Sequence, residues 1–225
     1  MTWLFDPPAP VALPVHGREA LFPVRRILCV GQNYAAHARE MGADPARETP
    51  FFFSKPRDAL TTEAHVPYPS ATKDLHHEVE LVCAIGGEGA DLEPGAAAAL
   101  IIGWAVGVDL TRRDIQAEAK SRGRPWDAAK GFDRSAPCGP LTLGPLPRAD
   151  AAITLTVNGD TRQSARLDQM IWSPAEVAAQ ASRLWRLTPG DLIFTGTPEG
   201  VGPVGRGDRI AAAIDGLEPL AFTLT

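Results

Sequence analysis

The sequence predicts an α+β fold rich in β structure, and three observations carry that expectation. Glycine and proline number 21 each in 225 residues, which favours turns and short strands over a helix bundle. Short apolar runs recur along the chain, and helical spacing is confined to a few brief stretches. One composition persists throughout, without repeat, linker or low-complexity segment, so a single domain is expected.

The elements follow in order. Residues 1–24 are Pro-rich and read as an extended arm with a short turn at Val15–Glu19; residues 25–225 form the main body of the same domain. Arg26 to Val30 is a short strand. Gly31-Gln32-Asn33-Tyr34 turns the chain into a helix, Ala35 to Met41, ended by Gly42. Pro50 to Ser54 is an aromatic strand. Residues 55–77 are polar, carry Pro56, Pro67 and Pro69, and read as loop. Glu78 to Ile85 (EVELVCAI) alternates and then runs apolar, as a strand. Ala96 to Leu100 is a short Ala-rich helix, and Ile101 to Val108 a buried strand. Leu110 to Ser121 has helical spacing and is followed by Gly123. Ala152 to Val157 is a strand, and Asn158-Gly159 a hairpin turn. Ser173 caps a helix running to about Leu184, with Pro174 in its first turn and Glu176 completing a capping box. Asp191 to Thr195 is a strand, and the Gly-rich segment 196–208 leads to a last hairpin, Arg209 to Leu224.

Composition excludes several classes. Lys plus Arg is 22 against 27 for Asp plus Glu, a net charge of -5 and no footprint of a nucleic-acid binder. The run from Gly95 to Val108 is broken by Gly103 and falls short of the ~20 residues that span a bilayer. The N-terminus lacks the basic start of a secretory signal, so the expected compartment is the cytoplasm. Cys29, Cys83 and Cys138 stand too far apart for a disulfide framework or zinc cluster and read as small core residues.

Chemistry concentrates in three acids. Glu78 and Glu80 are two residues apart on one strand, so both side chains share a face. Asp109 closes the next apolar strand, where a charge needs a partner. Three carboxylates with no lysine between them repel unless a cation sits there, and hard oxygen ligands suit Mg²⁺ or Mn²⁺. E-x-E alone would favour an exposed edge strand; Asp109 shifts the balance toward a metal. On the following helix Arg113, Gln116 and Lys120 fall on one face, either a solvated basic stripe or groups that bind an anion held on the ion. Lys130, between an aromatic cluster and a turn, is a candidate inward-pointing cation.

His37 and Glu40 fall at i and i+3 on the first helix, where a carboxylate can orient an imidazole base. His76 and His77 adjoin Glu78, but adjacent strand residues point to opposite faces, so both would not bind one metal. His16 and His65 lie in loops and carry no signal.

Together these segments resemble the fumarylacetoacetate hydrolase family. The matching pieces are RRILCVGQNYAAHAREMG (25–42), PFFFSKP (50–56), HEVELVCAIG (77–86), GWAVGVDLTRRDIQ (103–116), GRPWDAAKGFDRSAPCGP (123–140), VNGDTRQ (157–163) and LTPGDLIFTGTPEGVG (187–202). The short chain is most similar to the bacterial members that hydrolyse acylpyruvates. The resemblance implies a mixed β-roll with a few short helices, usually a homodimer. It implies that Glu78, Glu80 and Asp109 bind the divalent ion, Mg²⁺ or Mn²⁺, and that His37 and Glu40 are a catalytic dyad. It also implies that Arg113, Gln116 and Lys130 surround the substrate and that Thr197 contacts a substrate carboxylate. Gln32 and Cys138 depart from the family's usual Arg and aliphatic residue.

The activity so implied is hydrolysis of the C–C bond of an acylpyruvate, with fumarylpyruvate the expected substrate, to pyruvate and a carboxylic acid, fumarate in that case. A 2-oxo acid chelates such an ion, His37 activates water, and Lys130, Gln116 and Arg113 are candidates to steady the oxyanion. A distal carboxylate would need a cation, for which Arg25, Arg26 and Lys55 are candidates. Decarboxylation of oxaloacetate, isomerisation of a 2-hydroxymuconate-type diacid, and non-catalytic binding of a small acid are the alternatives. The expected partner is a small 2-oxo acid, with no nucleic acid and no membrane.

Overall fold

The computed structural model describes residues 2–40, 48–145 and 148–225. Its early strands are β1 (Ala12–Pro14), β2 (Leu21–Pro23), β3 (Arg26–Val30), β4 (Phe52–Lys55), β5 (Leu60–Thr61), β6 (His65–Val66), β7 (Leu75–His77) and β8 (Val79–Ile85). Then come β9 (Ile101–Val108), β10 (Thr111–Arg112), β11 (Ala136–Pro137), β12 (Thr142–Leu143), β13 (Ala152–Val157) and β14 (Asp160–Arg166). The last are β15 (Asp191–Phe194), β16 (Gly202–Val204), β17 (Arg209–Ile214) and β18 (Leu220–Leu224). The α-helices are α1 (Ala35–Glu40), α2 (Pro94–Ala98), α3 (Arg113–Ser121), α4 (Asp127–Lys130) and α5 (Pro174–Leu184).

A six-stranded sheet of order β12-β9-β8-β15-β3-β4 is mixed, because β15 runs parallel to β3 and antiparallel to β8. A five-stranded sheet of order β14-β13-β17-β18-β6 is mixed as well, through the parallel pair of β18 and β6. Strand β8 is buried along its whole length. Val79, Leu81, Cys83 and Ile85 belong to a core shared with Ile153, Leu155 and Ile210 of the five-stranded sheet and Val177 of α5. Val82 and Ala84 belong to a second core with Leu13, Phe22 and Phe194. Burial of both faces explains why EVELVCAI loses its alternation after Glu80. This arrangement is the mixed-sheet, few-helix fold that the sequence predicts, and the three cysteines are free and buried within it.

Some elements differ from expectation. The N-terminal segment is not merely extended: β1 and β2 pair as a hairpin, Leu13 opposite Phe22, and both are buried. Residues 55–77 contain β5, β6 and β7, whose partners are β11, β18, and β10 with β16. Those partners lie far along the chain, so no local pattern announces the strands. The helix expected from Leu110 begins at Arg113, because Thr111 and Arg112 pair with His76 and Leu75. Met41 and Gly42, the expected end of α1, lie outside the described residues. Asn158 and Gly159 both adopt positive φ, 55° and 92°, as the predicted tight turn requires. The Ser173–Glu176 capping box is formed. No helix among the described residues is long and apolar enough to cross a membrane.

Candidate metal and substrate site

The three acids converge at one end of β8 and β9. Val79 pairs with Val108 and Glu80 with Gly107, while the Asp109 amide donates to the Glu78 carbonyl at 2.8 Å. Opposed residues of an antiparallel pair share a face, so Glu78, Glu80 and Asp109 point the same way. All three are buried, and each offers an oxygen within 4.8 Å of the others.

The premise that no lysine stands among them is corrected by the structure. Lys130, at the end of α4, donates to Glu78 Oε2 at 2.8 Å, Asp109 Oδ2 at 2.6 Å and the Thr111 hydroxyl at 2.6 Å. Lys55, at the end of β4, places Nζ 2.8 Å from Asp109 Oδ1. That ion pair is the contact Oδ1 makes among the described residues. Lys55 spends its N–H groups on the carbonyls of Leu110 and Ser135, at 3.3 and 3.1 Å, on that of Lys130, and on Ser135 Oγ. It is structural and cannot reach the far end of a substrate. Arg25 and Arg26 are also removed from that role, since both bind buried Asp191, at 3.0 and 2.8 Å. Proximity of these lysines to the acids depends on chain segments remote in sequence, which composition does not reveal.

Charge is unevenly compensated in the cluster. Burial opposes ionisation of Glu78, but Lys130 and Arg113 outweigh it and hold its carboxyl below the usual range. Burial also works against the Lys130 charge, yet Asp109 and Glu78 raise its pKa. Glu80 has no ion-pair partner among the described residues; it accepts the Gly196 amide at 2.6 Å. Burial, then Asp109 and Glu78, push its carboxyl well above the usual range. A buried carboxylate with no ion-pair partner among the described residues, within reach of two further carboxylates, is a fit for a hard divalent cation. Among the described residues, these three form the acid cluster suited to metal.

The local chain explains how the other groups arrive. Arg113 opens α3, where its guanidinium donates to Glu78 and to Gln116 Oε1, the latter at 2.6 Å. Lys120 lies on the same face two turns from Arg113, with Nζ 5.0 Å from the Trp126 ring centre. Burial, followed by repulsion from Arg113, lowers the Lys120 pKa. Ahead of α1, the Asn33 side chain donates to the carbonyls of Trp172 and Thr195, each at 2.8 Å, and accepts the Trp172 amide at 2.7 Å. This pins the helix start beside the end of β15. A Cβ at Gly31 would lie 2.0 Å from the tip of the Phe51 ring, so a larger residue there would push that ring aside. Gln32 then adopts φ of 55°, an uncommon conformation for a side-chain-bearing residue. Buried His37 places Nδ1 3.2 Å from Glu40 Oε2, and the Gly200 amide meets Glu40 Oε1 at 3.3 Å.

The predicted residues His37, Glu78, Glu80, Asp109, Arg113, Gln116, Lys130 and Thr197 line one pocket. Glu40 stands behind His37, outside that lining. His76 and His77 diverge as expected, His76 to Asp74 and His77 to Gln163, each at 3.0 Å. Sequence reasoning missed part of the wall. Phe51 and Phe53, expected only as part of an aromatic strand, line the pocket with Gln32, Lys120 and Trp126. Phe51 is exposed and meets Trp126 edge to face, with centroids 5.4 Å apart. The residue before them, Pro50, and the charge-free run PFFFS gave no sign that two of the three rings face a cleft.

A mixed-sheet domain thus brings a buried acid triad and His37, backed by Glu40, to one pocket. The chain belongs to the fumarylacetoacetate hydrolase family: residues 26–225 match its description "Fumarylacetoacetate (FAA) hydrolase C-terminal". It is 41% identical over 183 residues to the fumarylpyruvate hydrolase of Ralstonia sp, covering 80% of this chain and 95% of that one. It is 40% identical over 202 residues to the mitochondrial oxaloacetate tautomerase of Mus musculus, covering 88% and 90% of the two chains. The solved fumarylpyruvate hydrolase from Pseudomonas aeruginosa, in complex with Mn²⁺ and pyruvate, is 52% identical with a TM-score of 0.96, covering 100% and 99%. The chain is thus a short, single-domain member whose relatives include enzymes.

Proposed function

We propose that this chain is a metal-dependent hydrolase that cleaves the C–C bond of an acylpyruvate, with fumarylpyruvate the expected substrate. The observation that carries the reading is the convergence of the acid triad, His37, Lys130, Arg113, Gln116 and Thr197 on one pocket. Similarity to the fumarylpyruvate hydrolases of Ralstonia sp and Pseudomonas aeruginosa supports it.

Glu78, Glu80 and Asp109 would hold Mg²⁺ or Mn²⁺. Such an ion supplies a Lewis acid that chelates a 2-oxo acid and offsets negative charge developing on it. With Nδ1 facing Glu40, His37 has Nε2 left to take a proton from water, help worth roughly 10²–10⁴ in rate. The water oxygen bonds to the distal carbonyl carbon, Gln116 and Arg113 offer donors to the resulting oxyanion, and Lys130, whose three N–H groups are held by Glu78, Asp109 and Thr111, contributes its positive charge. The C–C bond then breaks, its electron pair leaves on the pyruvate fragment, and that fragment takes up a proton. Thr197 binds the pyruvyl carboxylate. Lys120, beside Trp126 at the outer end of the α3 face, replaces Arg25, Arg26 and Lys55 as the cation for a distal carboxylate.

Oxaloacetate tautomerisation is the second reading, favoured by the 40% identity to the Mus musculus enzyme. It needs only proton transfer beside the ion and would use the same residues. The test is pyruvate release by chelator-stripped protein, with and without Mg²⁺ or Mn²⁺, from fumarylpyruvate, acetylpyruvate and oxaloacetate. Metal-dependent release from the acylpyruvates supports the hydrolase. Loss of enol absorbance from oxaloacetate, with no release from either acylpyruvate, supports the tautomerase instead.

A further inference from the structure

We propose that Gln163 is a positioning residue that turns the hydroxyl proton of Thr197 into the pocket. The inference rests on the reading of Thr197 as a carboxylate contact, and its basis is the polarity of a buried hydrogen-bond chain. Gln163 is fully buried on β14, a strand otherwise largely exposed. Its amide has four single-role or constrained neighbours. The Val79 amide can only donate, and it meets Gln163 Oε1 at 3.0 Å. The Pro198 carbonyl can only accept, and it meets Nε2 at 2.9 Å. These two partners together fix which end of the side-chain amide is oxygen and which is nitrogen.

The rest follows by elimination. His77 Nδ1, 3.0 Å from Oε1, must carry the ring proton. Gln163 Nε2 must donate its second hydrogen to Thr197 Oγ1, 2.8 Å away. A hydroxyl that accepts from Gln163 cannot also give its proton to Gln163. Thr197 is buried and lines the pocket, so its proton is directed there, toward an incoming anion. Strand β14 thereby sets the polarity of a group on the distant TGTP segment. Gln163 touches no substrate; it acts through Thr197.

The experiment compares wild type, Gln163→Met, Gln163→Glu, Thr197→Val and the Gln163→Met/Thr197→Val double variant. Each is titrated with Mn²⁺, then with pyruvate in the Mn²⁺-loaded state, and melting is recorded for each. Gln163→Glu keeps the acceptor for Val79 and His77 but takes the Thr197 proton, leaving lone pairs toward the pocket. The expected result is pyruvate affinity about tenfold or more weaker in Gln163→Met and Gln163→Glu, with Mn²⁺ affinity preserved. KM for fumarylpyruvate rises while kcat stays within about twofold. In the Thr197→Val background, Gln163→Met adds no further loss, because the hydroxyl it would orient is gone. Unchanged pyruvate affinity in both Gln163 variants overturns the inference. So does an additive loss in the double variant, which marks a structural role. Wild-type protein that binds no pyruvate overturns the functional reading as well.

Discussion

Replacing Lys120 with methionine separates recognition of a substrate's far carboxylate from the chemistry at its near end. Along α3, seven residues separate Arg113 from Lys120, an axial rise of about 10 Å. Arg113 is anchored at Glu78, so Lys120 sits at a distance suited to the opposite end of a short diacid. The free lysine has its pKa lowered by burial and by Arg113, so an anion arriving there relieves an uncompensated strain. A charge-assisted contact is worth about 1.5–3 kcal/mol when enclosed and under 1 kcal/mol when fully exposed. Lys120 is exposed on one side and packed on Trp126 on the other, so about 1–2 kcal/mol is the reasonable expectation. That converts to a loss of about 5- to 30-fold in kcat/KM for fumarylpyruvate. Acetylpyruvate, which ends in a methyl group, should change by less than about twofold. The assay is pyruvate release by wild type and Lys120→Met on both substrates at low and moderate salt. The diacid preference should shrink with salt in wild type and be insensitive to it in the variant. An equal loss on both substrates, or none on either, refutes the reasoning.

Three further outcomes follow from the same geometry. His37→Ala should lower kcat by roughly 10²–10⁴ while Mn²⁺ titration is unchanged, since His37 is not among the acid cluster; unchanged turnover removes it as the base. Lys130→Met should cost about 3–5 kcal/mol in denaturant unfolding of metal-free protein, because it strips Glu78 and Asp109 of a shared buried cation. Mn²⁺ should then raise the variant's melting temperature more than that of wild type; an equal rise contradicts the argument. For pH, the raised Glu80 carboxyl holds its proton better folded than unfolded. Its contribution to metal-free stability is therefore present at acid pH and lost as pH rises from the ordinary carboxylate range through the raised value. A bound cation displaces that proton, so Mn²⁺ affinity should climb over the same window, measured by calorimetry in buffers of different ionisation enthalpy. A pH-independent affinity with no proton release would oppose this.

The site was legible in sequence where one element carries several of its groups. Glu78 and Glu80 share a strand, Asp109 ends the neighbouring one, and Arg113 and Gln116 share a helix face; periodicity exposes all of these. His37 and Glu40 were legible for the same reason. The Asn-Gly turn and the Ser173 capping box were local chemistry and are found as expected. Lys55 was misplaced because its role is set by Leu110, Lys130 and Ser135, at least 55 residues away. Gln163 was invisible because DTRQSAR gives no sign that one of its polar residues is buried. Strands β5, β6 and β7 were read as loop because two or three residues hold no period, and distant partners alone define them.

The full burial of β8 has a consequence for endurance. Its amides should exchange with solvent deuterium only when the whole molecule opens, since both faces are covered by separate cores. The carboxylates seated at its start cannot be released by any lesser fluctuation of that strand. Entry and loss of the cation are therefore governed by the pocket these acids line, not by opening of the strand. A substitution deep in either core, such as Leu81→Ala or Val82→Ala, should then speed the exchange of all the β8 amides together, in step with the loss of global stability.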